Sequence, residues 1–340
     1  MTTSWTPTPS AVIKGKVVAI SGGIGGAKLA LGLYRVLEPE RLAIVANTGD
    51  DFEHLGLHVS PDIDTLVYTL AGLGNPEAGW GRAGESWEFM AALGQLGGET
   101  WFKLGDRDLA IHVERTRRLR AGESLSTITM DFARRLGIRT RILPMSDDPV
   151  RTIVHTTDGA LPFQHYFVKL ACTPAVSGIA FEGAATARPH RLALEALADP
   201  ALRAVVLCPS NPYLSIDPIL AMPGMRQALG RCPAPIVAVS PLIGGHAVKG
   251  PTAKIMGELG ISPCSLAVER HYQGLLDGLV IDEADAAEAP KLGLPVEVAR
   301  TLMVNLEDRD ALARTVLAFA ARLEPRHLGR SGERVEGARG

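Results

Sequence analysis

The sequence predicts an α/β protein with a doubly wound, mostly parallel sheet and a helical insertion. Three observations carry this. Short apolar runs of strand length recur at Lys16–Ile20, Arg41–Ala46, Ala204–Leu207 and Ile236–Val239, as expected of strands covered on both faces. The first run passes through a glycine-rich turn into a segment with Leu29, Leu33 and Val36 at helical spacing, and then into the second run. Strand, turn, helix and strand make a βαβ unit, which requires a right-handed crossover and a parallel sheet. Finally, these runs end in loops of Gly, Asn, Ser and Pro, the composition of a ligand crevice at the carboxyl edge of such a sheet.

The remaining elements follow from periodicity. Residues from about 62 to 137 read as mostly helical, the insertion. One helix opens at Asp62 with Ile63, Leu66, Val67 and Leu70 apolar; another starts near Ser124, sets Leu125, Ile128, Phe132 and Leu136 on one face, and stops at Gly137. Strand-like segments resume around Arg141–Leu143, Thr152–Thr156 and His165–Val168. Residues 1–15, rich in Thr, Ser and Pro, are expected to be flexible, 16–322 to form a single α/β domain, and the Arg- and Gly-rich residues 323–340 to be a disordered tail.

Composition narrows the function. With 46% hydrophobic and 21% charged residues the chain is that of a globular protein, and 340 residues suffice for a full core. A formal net charge of -2 supplies no general attraction to nucleic acid or to an anionic membrane, so an anionic substrate needs a local site. The four cysteines lie far apart with no C-x-x-C pair, which favours buried thiols over a zinc or redox motif. No signal peptide and no apolar run of roughly eighteen residues appears, so the expected location is cytoplasmic.

Candidate site residues sit in the loops after the strands. Gly22, Gly23, Gly25 and Gly26 precede Lys28 in a strand-to-helix turn. Glycines there let a phosphate approach backbone N–H groups at a helix N-terminus. The turn lacks the Gly-Lys-Ser/Thr ending of a Walker loop, and Lys28 stands where a dinucleotide fingerprint has its third glycine. After the second strand comes Asn47-Thr48-Gly49-Asp50-Asp51, then Pro61-Asp62-Ile63-Asp64. Carboxylates so closely spaced suit a hard cation, and magnesium takes one or two of them together with water and substrate phosphates. Asp50, Asp62 and Asp64 are the candidate metal ligands; Asp62 serves equally well as a helix cap. His58 lies near this loop. Ser210 and Asn211, and the loop containing Gly244, follow later strands and suit a nucleobase or phosphate, with Lys249 and Lys254 placed to offset diphosphate charge. The charged stretch Leu104-Gly105-Asp106-Arg107-Asp108-Leu109 reads as a helix start, with Asp106 or Asp108 as its cap, and not as a site.

In order, the blocks SGGIGGAKLALGL, ANTGDDFEHLGLHVSPDIDTLVYTLAG, GWGRAGESWEF, LGDRDLAIH, LCPSNPYLSIDPIL and PIVAVSPLIGGHAVKGPTAK resemble the 2-phospho-L-lactate transferases of coenzyme F420 biosynthesis, from about Val17 to about Val268. The resemblance implies a Rossmann-like core and a magnesium-dependent reaction. In it, phosphate-linked lactate, or a phosphoenolpyruvate or 3-phosphoglycerate counterpart, passes from a guanosine diphosphate adduct to the ribityl hydroxyl of 7,8-didemethyl-8-hydroxy-5-deazariboflavin, releasing GMP. It places the donor at Gly22–Lys28 and the two later loops, the magnesium and acceptor hydroxyl at Asp50 and the Pro-Asp-Ile-Asp stretch, and a basic residue, Arg82, over the deazaflavin. It also implies a homodimer. The residues beyond about Asp285 lie outside the match and receive no role. Phosphoryl transfer needs positioning and charge stabilisation more than a covalent nucleophile; the general base is Asp50, Asp64 or His58. Two other readings use the same residues: a nucleotide-sugar-binding regulator of the same superfamily, and a nicotinamide-dependent oxidoreductase with Asp50 on a ribose hydroxyl.

Overall fold

Side chains alternate across a strand, so a strand apolar at every position must be covered on both sides. In the computed structural model, which describes residues 14–75 and 79–325, β1 (Lys16–Ser21) meets that demand. Val17 and Ala19 enter one core, Val18 and Ile20 the other, and all four are essentially inaccessible. Most of the expected flexible N-terminus and disordered tail falls outside the described residues.

From β1 the chain turns into α1 (Gly23–Val36) and returns along β2 (Leu42–Ala46), parallel to β1 with Val17 opposite Leu42. An antiparallel hairpin follows, β3 (Phe52–His54) and β4 (Leu57–Val59), which the sequence reading had not resolved. The insertion holds α2 (Pro61–Leu70), α3 (Glu88–Gln95), α4 (Asp108–Arg120) and α5 (Leu125–Arg135). Ser124 caps α5, accepting from Thr127 N. β5 (Arg141–Pro144) then joins the main sheet beside β2.

A small antiparallel sheet comes next, β6 (Arg151–Thr156), β7 (Gly159–Pro162) and β8 (Val176–Glu182), in the order β7-β6-β8. The segment His165–Val168, read as strand-like from its sequence, is instead part of a π-helical turn, His165–Lys169, closed by Leu170 N donating to His165 O. Its one fully buried ring, Tyr166, is core filling and gives no strand alternation.

The second half alternates helices and strands: α6 (Arg191–Leu197), β9 (Leu202–Leu207), α7 (Asp217–Leu220), α8 (Met225–Gly230) and β10 (Ile236–Val239). A two-residue hairpin, β11 (Leu242–Ile243) and β12 (His246–Ala247), leads to α9 (Thr252–Glu258), α10 (Ser265–His271), β13 (Gly278–Asp282), β14 (Val296–Ala299) and α11 (Leu306–Ala320). The main sheet has seven parallel strands in the order β14-β13-β10-β9-β1-β2-β5. Its residues beyond Asp285 are integral: β14 forms one edge, and α11 packs on α1.

Two features of this topology position the site. After β1 the chain goes to the face of α1, α2 and α11, whereas after β9 it goes to the face of α7 and α8. The connections after the adjacent strands β1 and β9 therefore leave toward opposite faces of the sheet, which makes their carboxyl ends its switch point. Secondly, α1 and α11 approach so closely that Gly32 rests against the carbonyl of Arg309, and Lys28 Nζ donates to Met303 O at 2.8 Å. A Cβ added at Gly32 falls inside contact distance of that carbonyl. Gly32→Ala is accordingly expected to lower stability by about 1–3 kcal/mol despite improving helix propensity. Gly257→Ala in α9, where a Cβ meets nothing within 4 Å, is expected to add about 0.5–1 kcal/mol. Urea unfolding of both variants checks the contrast, and equal shifts would rule out close helix contact at Gly32.

Candidate active site

The glycine turn is shaped by what lies across it. A Cβ on Gly26 would stand 2.5 Å from both Ser21 Oγ and Ser210 Oγ, and one on Gly22 would stand 2.6 Å from Asp62 Oδ2. Gly22 N donates to Ser210 Oγ at 3.1 Å, so the loops after β1 and β9 are tied together. Gly23, with φ of 67°, is the one residue of the turn in the left-handed region, and its N–H donates to Asp62 Oδ1 at 2.6 Å. Asp62 is thus no helix cap: α2 begins at Pro61 with Ser60 before it, and the Asp62 carboxylate reaches back to the glycine turn.

Asn47 completes the link. It follows β2, fully buried, and its Nδ2 lies 2.9 Å from Asp62 Oδ2, 3.3 Å from Asp50 Oδ1 and 3.4 Å from Leu214 O. Its own Oδ1 accepts from Gly49 N at 2.8 Å. One amide thus spans two buried carboxylates. Asp50 is pushed well above the usual carboxylate range by burial, then by the nearby charges of Asp62 and Asp51. Burial also raises Asp62, to about 6, even though Asn47 and Gly23 N–H bonds favour its ionised form. Gln164 adds a distant contact, its Nε2 3.4 Å from Asp50 O.

The other carboxylates of the stretch are differently placed. Asp51 Oδ2 accepts from Ser60 Oγ at 2.8 Å and faces His58 Nε2 at 3.1 Å, while the buried Asp51 Oδ1 has no hydrogen-bond partner. Asp64, considered above as metal ligand and base, is engaged by both Nη atoms of Arg115, which is 1% exposed. A hard cation therefore finds Asp50 and Asp62 together and Asp64 committed to a guanidinium. Among the described residues no group of three or more His, Cys, Asp or Glu is arranged to hold a metal, so a cation here draws its other ligands from water and substrate, as magnesium does.

On the opposite side of the turn the charge is positive. Burial, with Arg309 and Lys249 close by, pulls the Lys28 ammonium below its ordinary pKa. Lys249 Nζ approaches Gly79, in the loop carrying Arg82, and a Cβ there would lie 2.5 Å from it and 3.6 Å from Ile24. Arg82 itself pairs with Gly74 in an isolated antiparallel bridge, and no hydrogen bond joins it to the carboxylates. The N–H groups of Gly244 and Gly245 both donate to Asp285, at 3.0 and 3.1 Å, so that loop is held by an internal carboxylate. Asn211 Oδ1 accepts from Tyr213 N and Leu214 N, while its buried Nδ2 has no hydrogen-bond partner. Lys254, expected to offset diphosphate charge, is committed to Glu258, Pro174 O and Tyr166 OH.

Several residues escaped the sequence reading. Asp106 caps α3, accepting from Glu88 N and Phe89 N, both at 3.0 Å, and not the helix it precedes. Asp108, His112 and Arg115 occupy successive turns of one face of α4, with Tyr68 Oη on Asp108 at 2.5 Å. Their i, i+4, i+7 spacing was the available signal, since a polar stripe on a buried helix face needs partners. An aromatic group, Phe52, His54, Trp101, Phe102 and His165, borders the carboxylates through Gln164 and the β3–β4 hairpin.

Such an arrangement, with a glycine turn and a buried acid pair at the switch point of a parallel sheet, defines a doubly wound α/β protein with these groups at the edge where sheets of this kind take ligand. The chain matches the family model described as 2-phospho-L-lactate transferase CofD over residues 17–318, and it belongs to that family of coenzyme F420 transferases. It is 41% identical to a phosphoenolpyruvate transferase of Kitasatospora aureofaciens over 315 residues, covering 90% of this chain and 98% of the relative. It is 38% identical to a 2-phospho-L-lactate transferase of Methanosarcina acetivorans over 306 residues, covering 89% and 98%. A solved structure of a UPF0052 family protein from Bacillus halodurans shares the fold with a TM-score of 0.57 at 16% identity, covering 90% of this chain and 99% of the other. The match through residue 318 extends the family's segment over β14 and most of α11. No helix among the described residues is long and apolar enough to cross a membrane.

The acid pair has a consequence for stability. Carboxyls whose pKa is raised on folding contribute stability below their ordinary pKa and lose it as pH rises through the folded value, here through about 6 for Asp62. In chelator, Asp50→Asn is therefore expected to exceed the wild type in stability at pH 8, because it removes a carboxyl whose charged form burial and the neighbouring acids disfavour. The advantage should vanish near pH 4. Denaturant unfolding at the two pH values checks this, and a pH-independent difference would show that the pair is not mutually destabilised.

Proposed function

We propose that the protein transfers a phosphate-linked carboxylic acid from its guanosine diphosphate adduct to the ribityl hydroxyl of 7,8-didemethyl-8-hydroxy-5-deazariboflavin, releasing GMP. The observation that carries this reading is the direct connection of the glycine turn to the acid pair, through Gly23 N–H on Asp62 and Asn47 on both Asp62 and Asp50. A diphosphate at the turn then lies next to the carboxylates, and phosphoryl transfer requires that neighbourhood. The relatives named for phosphoenolpyruvate and for 2-phospho-L-lactate support the class of acid.

In this reading the donor diphosphate is held by Gly22–Gly26 with Lys28 and Lys249 on one flank, and Ser210 and Asn211 face its nucleoside. Asp50 and Asp62 hold magnesium, whose contribution when bound is to offset charge on the donor oxygens and lower the cost of charge build-up at phosphorus. The acceptor's flat ring system suits the aromatic group at Phe52, Trp101 and Phe102, with Arg82 in the loop above. The acceptor oxygen forms a bond to the acid-bearing phosphorus while the bond from that phosphorus to the bridging oxygen breaks. GMP leaves with the bridging oxygen, and the acceptor proton passes to a base. Asp64 is neutralised by Arg115 and Asp50 is assigned to the cation, so His58, oriented by Asp51, is the best-placed base of the three candidates.

The test is a reaction of the protein with the deazaflavin, magnesium and the guanosine adducts of lactate, phosphoenolpyruvate and 3-phosphoglycerate, followed by mass spectrometry. A deazaflavin phosphodiester plus GMP is expected with one of them. Asp50→Asn should lower that rate at least about a hundredfold with the circular dichroism spectrum unchanged. Folded wild-type protein that binds nucleotide but makes no product with any adduct would favour a binding role over a catalytic one.

A further inference from the structure

The helix that begins at Asp108 has no place in the proposed donor site, yet it carries the most deeply buried Lys or Arg among the described residues. Arg115 is 1% exposed, and burying a guanidinium costs several kcal/mol unless its donors are matched. Its Nη2 and Nη1 hold the two oxygens of Asp64, and Nη1 also lies 3.4 Å from His58 O and 3.4 Å from His112 Nδ1. The next residue, Thr116, accepts from His58 N at 2.8 Å, and its own hydroxyl donates to His112 O. α4 therefore grips His58 by both backbone groups, while Asp51 faces its ring at Nε2. With Nε2 against a carboxylate, that nitrogen is the donor of the contact, so the Asp51 pairing fixes which side of the ring faces the acids.

We infer that Arg115 is a positioning residue for transfer: it neutralises Asp64, so that this carboxylate stays out of the cation site, and with Thr116 it sets the His58–Asp51 pair. Enclosed as it is, Arg115 acts through Asp64 and through the backbone of His58. Resting on the function proposed above, the inference explains why the LGDRDL block and the helix behind it accompany the acid stretch. Lysine does not replace the fork, because one ammonium cannot meet both Asp64 oxygens in their plane and reach a carbonyl as well.

The experiment uses the full chain as Arg115→Lys, Arg115→Met and the double variant Arg115→Met/Asp64→Asn, with two independent readouts. In turnover, Arg115→Met is expected to lower kcat about a hundredfold, as for displaced catalytic groups, with the KM for the guanosine adduct unchanged. The double variant should recover about tenfold by removing the carboxylate left without its cation, and Arg115→Lys should fall between Arg115→Met and wild type. The second readout needs no activity: 15N NMR of the His58 ring, assigned by its loss in His58→Asn, should show one Nε2–H tautomer in wild type. A mixed population is expected in Arg115→Met, with partial return in Arg115→Lys. Unchanged kcat and an unchanged His58 signal in folded Arg115→Met would overturn the inference. If Arg115→Met does not fold, Arg115→Lys decides, and wild-type values of both readouts overturn it. A wild type without transferase activity would defeat the proposed function while the NMR arm still decides the positioning role.

Discussion

Asn47 places one amide between two carboxylates in a space closed to bulk water, and much of the surrounding chain is arranged to make that tolerable. Buried carboxylates in proximity resist ionisation together, because each is costly to desolvate and each repels the other. Here Asn47 and the Gly23 N–H stabilise the ionised form of Asp62, while the long contacts from Asn47 and Gln164, a backbone hydrogen bond and the charge of Arg151 do not offset the burial of Asp50. The pair is left under-compensated by the protein's own cations. That is the electrostatic condition under which an added divalent ion binds with gain, and it places the strain of the free protein at the point where chemistry is proposed.

The charges around the glycine turn are segregated. Asp50, Asp51 and Asp62 gather on the side of β2 and α2, whereas Arg309 and Lys249 lie near Lys28 of α1. An anion at the turn therefore meets cations on one flank and carboxylates on the other, which is the electrostatic ground for the magnesium proposed above. Arg115 keeps that second flank from becoming more acidic still. By pairing with Asp64 it limits the number of unpaired carboxylates near the turn, and with Thr116 it holds the backbone of His58 beside Asp51.

The scaffold keeps these groups in register through contacts that are distant in sequence. Gly32 lets α11 lie against α1, Lys28 reaches Met303 O, and Arg35 pairs with Asp310 at 2.8 Å. The C-terminal segment thereby braces the helix whose N-terminus forms the glycine turn. Across the sheet, Ser210 ties the loop after β9 to Gly22. The crevice is held from both sides before any ligand arrives, which reduces the ordering that binding would otherwise require.

The sequence by itself determined the fold class, the buried strands β1, β2, β9 and β10, the glycine turn and the stretch of acids, because periodicity and turn chemistry act over a few residues. It did not show the β3–β4 hairpin or the π-helical turn at His165–Lys169, whose short apolar patterns fit more than one local structure. Above all it did not distinguish Asp64 from Asp62, two residues apart on one helix. Only the tertiary structure decided that Asp62 turns to Gly23 and Asn47 while Asp64 meets Arg115, fifty-one residues away. A carboxylate's role depends on its burial and on the charge of its neighbours, and those neighbours arrive from remote segments only when the chain folds.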